Sequence, residues 1–151
     1  LRSSILLLCL LAACGPVPQP ESNRTVAAYE VPLPTAMDKQ RFLALLTEVG
    51  QGEGYHVDAA SQSELETMSE VSPITFNATV WRGEDEEVMA SAMDFQDRIG
   101  RVWISFPIGE NPVRSARFRN ALVPKIKNGR PTTASLPIMS TGAIPLTEDL
   151  G

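Results

Sequence analysis

Apolar residues recur at helical spacing in the segment that follows Thr35. They are Phe42, Leu45, Leu46 and Val49. Because residues three and four positions apart share one face of a helix, this spacing predicts an amphipathic helix over 36–49. Thr35 and Asp38 stand at the spacing of a capping box, which marks the beginning of that helix. Gly50 is expected to end it.

Two further helices are predicted, one over 61–68 and one over 112–123. The first follows a second capping box, formed by Ser61 and Glu64. The second begins where Asn111 is followed by Pro112, because proline is favoured at the first helical position, where its missing N–H costs nothing. We expect Pro124 to kink or end this helix.

Three runs with strand-like alternation lie between these helices, at 74–81, 88–95 and 102–108. The connections between them are short and polar, which predicts a β-meander. A short strand is expected at 55–57. The stretch 135–144 is expected either to add an edge strand or to cover the sheet.

The order of these elements favours an α+β fold. We expect a two-layer sandwich in which helices cover one face of an antiparallel, three- to five-stranded sheet. With 151 residues, the chain is long enough for one ordinary domain. We place that domain at 35–151, with an irregular carboxy-terminal tail.

The amino terminus has the layout of an export signal. Arg2 supplies a positive charge, residues 5–11 contain the apolar stretch, and small residues come just before Cys14. A membrane-spanning helix needs about 20 apolar residues, so this stretch is too short to span. The alternative is an apolar element that packs on the core.

Leu11, Ala12, Ala13 and Cys14 together resemble the lipobox of bacterial lipoproteins. The resemblance implies that residues 1–13 are removed as a signal peptide. It also implies that Cys14 receives diacylglycerol on its thiol, and usually a further acyl chain on its new amino group. The chain would then be anchored in a membrane by its lipids. By resemblance to enterobacterial lipoproteins, Gly15 after the cysteine, where no aspartate stands, implies the outer membrane, with the protein facing the periplasm.

Prolines punctuate the segment that follows the cysteine. They stand at Pro16, Pro18, Pro20, Pro32 and Pro34. Because proline at this density favours extended chain, we expect residues 14–34 to form a tether between the membrane and the folded domain.

Composition excludes some classes of function. A formal net charge of -5 is not that of a dedicated nucleic-acid binder, whose domain is usually basic. Cys9 and Cys14 are the only cysteines, so the chain carries neither a disulfide framework nor a cysteine metal motif. Common nucleotide-binding and hydrolase motifs are also absent from the sequence. We therefore expect no cofactor and no metal.

Charge is distributed unevenly along the chain. Residues 38–97 contain thirteen acidic and three basic side chains, whereas residues 98–130 contain one acidic and eight basic ones. Arg114, Arg117 and Arg119 of the last predicted helix could therefore bind carboxylate or phosphate groups. The alternative is that this helix lies against the acidic segments of its own chain and is neutralised there.

The candidates for catalysis are few. His56 is the only histidine, and on a strand it would share a face with Asp58, as a carboxylate-oriented base or half of a metal site would require. The acidic run 84–87 could bind a cation, although such a run is usually a solvated turn. Trp81 and Trp103 either pack on the sheet or mark a binding face.

Three functions remain open. The first is a non-enzymatic binding or adaptor module of the bacterial envelope, anchored through Cys14 and joined to a protein partner. The second is a binder of anionic ligands or of the envelope surface through the basic segment 112–130. The third is an enzyme that uses His56 and Asp58.

Overall fold

The computed structural model of the protein describes residues 20–145. The predicted signal peptide and Cys14 lie outside these residues. No helix within the described range is long and apolar enough to cross a membrane.

Six antiparallel strands form one open sheet, in the spatial order β2-β3-β4-β5-β1-β6. The strands are β1 (Thr25–Pro32), β2 (His56–Ala59), β3 (Asn77–Arg82), β4 (Glu87–Met93), β5 (Arg101–Pro107) and β6 (Ala134–Ser135). The predicted meander is β3-β4-β5. The antiparallel α+β fold is thus confirmed, but the expected three to five strands were too few.

Three α-helices accompany the sheet: α1 (Ala36–Gly52), α2 (Gln62–Ser69) and α3 (Pro112–Gly129). Capping boxes stand at the starts of α1 and α2, as predicted, with Thr35 and Ser61 as the caps. The Asn111 side chain caps α3 by accepting the Arg114 N–H. Local side-chain chemistry therefore sets all three helix starts.

One hydrophobic cluster joins α1 and α3 to the sheet. Its buried members include Val31, Phe42, Leu46, Val80, Ile104, Phe106, Phe118, Leu122 and Ile126. The Phe118 ring of α3 lies 6.5 Å from that of Phe106 and 5.3 Å from that of Tyr55, centroid to centroid. In contrast, α2 has no buried residue and lies beside the edge strand β2.

The predicted tether over 14–34 was wrong from Thr25 onward. β1 lies between β5 and β6, and Ala28, Val31 and Leu33 are at most 2% exposed. Pro32 is the last residue of the strand, a position at which a proline interrupts little of the ladder. The folded domain therefore begins about ten residues before the predicted boundary at Thr35.

Two further boundaries differ from the predictions. α1 continues through Gly50 to Gly52, and α3 continues past Pro124 to Gly129. Pro124 removes the N–H that would pair with the Asn120 carbonyl, and both residues are exposed. Ile126, one turn beyond Leu122, is 1% exposed, and its burial favours continuation of the helix.

The tail contributes the edge strand that the sequence left as one of two alternatives. Ser135 and Ala134 pair with Tyr29 and Glu30 of β1, and Leu136 donates its N–H to the Ala28 carbonyl at 2.9 Å. The strand covers only Ala134–Ser135, so most of the predicted stretch 135–144 is not part of it.

Candidate functional site

Three potential metal ligands meet at the β2 edge of the sheet. His56 and Asp58 alternate along β2 and pair with Trp81 and Thr79 of β3. Their side chains thus share a face, as predicted. The third ligand, Asp85, stands in the turn between β3 and β4 and belongs to the acidic run 84–87.

The ligand atoms of this cluster lie close together. His56 Nε2 is 3.9 Å from Asp58 Oδ2 and 3.8 Å from Asp85 Oδ1. One ligand atom from each of the three residues lies within 4.8 Å of the other two. The two carboxylates are well exposed, and the imidazole is 42% exposed.

The turn that carries Asp85 has a constrained backbone. Gly83 has φ of 73° and Asp85 has φ of 55°, both in the left-handed region. Aspartate tolerates this region better than most residues with a side chain. The turn leads from β3 to β4, and it places the Asp85 carboxylate 3.8 Å from His56 Nε2 on the neighbouring strand β2.

A hollow adjoins the cluster where α2 faces the sheet. Its walls include Asp58, Thr79 and Trp81 from the strands and Glu64 and Met68 from α2. Asp58 is common to the hollow and to the cluster, so a molecule in the hollow would lie beside this carboxylate.

The basic helix α3 is largely engaged with acidic side chains of the same chain. Arg114 Nη2 lies 2.8 Å from Glu87 Oε2, and Arg117 Nη2 lies 3.2 Å from Glu53 Oε2. Within residues 20–145, Arg119 forms no ion pair. Internal pairing, one of the two alternatives drawn from the charge pattern, therefore involves two of the three candidate arginines.

Glu87 is the most enclosed acidic residue of this ion-pair system. It is 6% exposed; Arg82 Nε and Arg114 Nη2 each donate to its Oε2 at 2.8 Å. The Glu110 N–H donates to the other oxygen at 2.9 Å. Burial raises the pKa of Glu87, but the hydrogen bonds from Arg82, Glu110 and Arg114 outweigh it and leave the pKa below its ordinary value.

A second enclosed carboxylate, Asp94, connects two loops. It is fully buried; it accepts the backbone N–H groups of Thr75, Phe76 and Gly100 at 2.7, 2.9 and 3.0 Å. Burial raises the pKa of Asp94. The hydrogen bonds from Gly100, Thr75 and Phe76 lower it by more, so the pKa lies below its ordinary value. These contacts join the segment before β3 to the turn before β5.

The two tryptophans differ in surroundings. Trp103 is 8% exposed and donates its Nε1–H to Glu30 at 2.9 Å, while the Arg98 guanidinium lies 4.2 Å from its ring centroid. Trp103 thus packs on the sheet. Trp81 is half-buried and lines the hollow beside His56.

The sequence identified the candidate ligands of the His56 cluster in two separate segments but did not predict that they meet. The pair His56 and Asp58 was visible from strand alternation, and Asp85 was visible only as one member of an acidic run. Their contact depends on the β2–β3 register, which pairs residues 19–25 positions apart. No sequence signal identified Glu87 or Asp94 as buried.

Comparison with known proteins gives no relative. No family model, curated protein or solved structure matches the chain.

Proposed function

We propose that the chain is a lipid-anchored protein of the bacterial envelope and that its folded domain is a non-enzymatic binding or adaptor module. The observation that carries the proposal is Leu11-Ala12-Ala13-Cys14 at the end of the apolar run 5–11. Acyl chains on one cysteine supply membrane affinity of about 0.8 kcal/mol for each buried methylene. Two or three such chains would hold the protein stably at a bilayer.

The short distance along the chain between the cysteine and the fold limits where a partner can be. Residues 15–24 separate Cys14 from the first residue of β1. A chain rises at most about 3.3–3.6 Å per residue, so Cys14 and Thr25 can be no more than about 40 Å apart. This supports a partner in the same membrane or at its surface. With Gly15 after the cysteine, we place the anchor in the outer membrane, facing the periplasm.

The anchor is tested by comparing two cysteine variants in bacterial cells. In Cys14→Ser the thiol that takes the lipid is lost, whereas Cys9→Ser is a matched control within the predicted signal peptide. We expect labelled palmitate on the wild-type chain and on Cys9→Ser but not on Cys14→Ser. Mass analysis should place the mature amino terminus at residue 14. An unmodified Cys14 would contradict the proposal.

The adaptor role is tested by amine-reactive cross-linking in intact cells. We expect the wild-type chain to form one dominant cross-link to an envelope protein. Because the anchor keeps the domain close to the membrane, that cross-link should weaken strongly in Cys14→Ser. Absence of any specific cross-link from the anchored chain would contradict the adaptor role while leaving the anchor intact.

A second candidate function is the binding of anionic ligands by α3. Arg117 supports it because its side chain is 66% exposed despite the ion pair with Glu53. Arg119, which has no ion pair within residues 20–145, adds to it. Arg114 contributes less, since Glu87 holds its guanidinium. No nucleic acid partner is proposed, given the net charge of -5.

Vesicles that contain anionic lipid test this second candidate. Surface electrostatic binding should fall steeply with salt and should be lost when Arg117 and Arg119 are both replaced by Glu. Replacement of exposed Lys125 and Lys127 by Glu is a control with the same change of charge on the same helix. Equal loss of vesicle binding in both double variants would show that anionic lipid is attracted to the charge of α3 in general, not to a site at Arg117 and Arg119.

A further inference from the structure

We infer that His56, Asp58 and Asp85 bind a divalent transition-metal ion, with Zn²⁺ as the best match. One imidazole nitrogen and two carboxylate oxygens converge at a single point of the surface. This is a mixed nitrogen and oxygen ligand set drawn from two separate elements, the strand β2 and the turn between β3 and β4. The inference does not depend on the proposed envelope function.

The separations suit a metal after a small adjustment. Zn²⁺ binds histidine nitrogen and carboxylate oxygen at about 2.0–2.2 Å in tetrahedral geometry, which places neighbouring ligand atoms about 3.4 Å apart. His56 Nε2 lies 3.9 Å from Asp58 Oδ2 and 3.8 Å from Asp85 Oδ1. The ligand atoms of Asp58 and Asp85 lie within 4.8 Å of each other, and rotation of the exposed side chains would bring all three ligand atoms to bonding geometry.

Charge around the cluster favours a cation. Asp58 and Asp85 form no ion pair with Lys or Arg within residues 20–145. Glu84 and Glu86 flank Asp85 in the same turn and add to the negative potential. The nearby guanidinium of Arg82 donates to the buried Glu87 and so does not neutralise the cluster.

The fold fixes the backbone that carries the ligands before any ion arrives, so that only the exposed side chains have to rotate. Pairing of His56 with Trp81 and of Asp58 with Thr79 fixes two ligands on one face of the sheet. The left-handed backbone of Asp85 belongs to the turn between β3 and β4, which places its carboxylate 3.8 Å from His56 Nε2. A preorganised set of ligands loses less conformational entropy on binding than ligands on separate mobile loops.

The ligand chemistry distinguishes between metals. Mg²⁺ and Ca²⁺ prefer oxygen ligands throughout, whereas imidazole suits Zn²⁺ and other late transition metals. Three protein ligands leave at least one coordination position for water or for an incoming donor atom. Asp58 also lines the hollow beside α2, so a small molecule bound there would lie next to one of the three ligands.

Calorimetric titration with Zn²⁺ alone tests the inference. The full chain is used with Cys9→Ser and Cys14→Ser, because free thiolates also bind zinc. We expect one ion per chain, and no displacement by a thousandfold excess of Mg²⁺. Asp85→Asn and His56→Gln should each weaken binding at least tenfold.

Glu84→Gln provides the matched control, since it removes the same charge from the same turn without removing a ligand. We expect it to change the affinity less than twofold. Asn tolerates the left-handed backbone of residue 85, so Asp85→Asn should keep the wild-type urea midpoint and report on the ligand itself. Equal weakening by Asp85→Asn and Glu84→Gln, or no binding of Zn²⁺ at all, would overturn the inference.

Discussion

The hydroxyl of Thr75 donates to Asp94 Oδ2 at 2.5 Å, and the backbone N–H of the same threonine donates to Asp94 Oδ1 at 2.7 Å. The N–H groups of Phe76 and Gly100 complete the set of donors around this buried carboxylate. Four donors to one carboxylate satisfy its hydrogen-bonding capacity with no help from solvent. Asp94 thus holds the start of β3 and the turn before β5 in one arrangement.

Asp94→Asn should lower the free energy of unfolding by about 2–3 kcal/mol. The amide NH₂ would face N–H groups, and no hydrogen bond could form because both are donors. The charge-assisted hydrogen bonds would also be lost. Urea denaturation at pH 7 measures the change. Asp97→Asn, at an exposed position in the same loop, should change stability by less than about 0.5 kcal/mol. An unaltered midpoint in Asp94→Asn would contradict this account of the carboxylate.

Acid should destabilise the fold through Asp94 and Glu87. The pKa of each is lowered in the native state, so the unfolded chain takes up protons more readily as the pH falls. Their stabilisation is complete above the unfolded values, about 3.9 for Asp and 4.3 for Glu, and is lost as the pH falls through the lower native values. Urea midpoints measured from pH 7 to pH 2 should therefore decline mainly below about pH 4. A smaller decline in Asp94→Asn than in the wild type is expected.

Glu87→Gln should cost about 2–3 kcal/mol of stability. Removal of one partner of a fully buried ion pair costs about 3–5 kcal/mol. The effect should be smaller here, because Arg82 and Arg114 are partly exposed and can be solvated. Equilibrium unfolding measures it, with exposed Glu86→Gln as the matched control. Arg114→Gln combined with Glu87→Gln should cost less than the sum of the two single changes, and strict additivity would argue against direct coupling.

Local signals predicted the helices better than the sheet. The caps Thr35, Ser61 and Asn111 act within three residues of themselves, and each marked a true helix start. Pro124 misled because a proline inside a helix is usually disruptive, yet burial of Ile126 one half-turn later favours a continuous α3. Propensity was overridden there by tertiary packing.

The strand β1 was not predicted because it lies in a proline-rich segment. Apolar and polar residues alternate only weakly along β1, because the small residues Ala27 and Ala28 are neighbours. In addition, Pro32 suggested an extended chain outside the fold. Pairing with β5 and β6 supplies the missing stabilisation, and those partners lie far away in the sequence. The same dependence on distant pairing hid the contact between Asp85 and His56.

Replacement of two glycines by alanine should change stability in opposite directions. Gly109 has φ of 79°, and a Cβ there would overlap the hydroxyl oxygen of Ser115 and lie 3.1 Å from Glu87 Oε1. Left-handed backbone alone costs an ordinary residue about 1–2 kcal/mol. We therefore expect Gly109→Ala to lose at least about 2 kcal/mol of stability. Thermal and urea unfolding measure the loss.

Gly52, the last residue of α1, is the matched comparison. A Cβ at this position would meet nothing within 4 Å, and alanine favours the helix over glycine. Gly52→Ala should therefore raise the free energy of unfolding by about 0.5 kcal/mol. If Gly109→Ala were as stable as Gly52→Ala, the backbone at Gly109 would not lie as close to Ser115 and Glu87 as the structure describes. Opposite signs in the two variants would show that Gly109, unlike Gly52, cannot take a Cβ without cost.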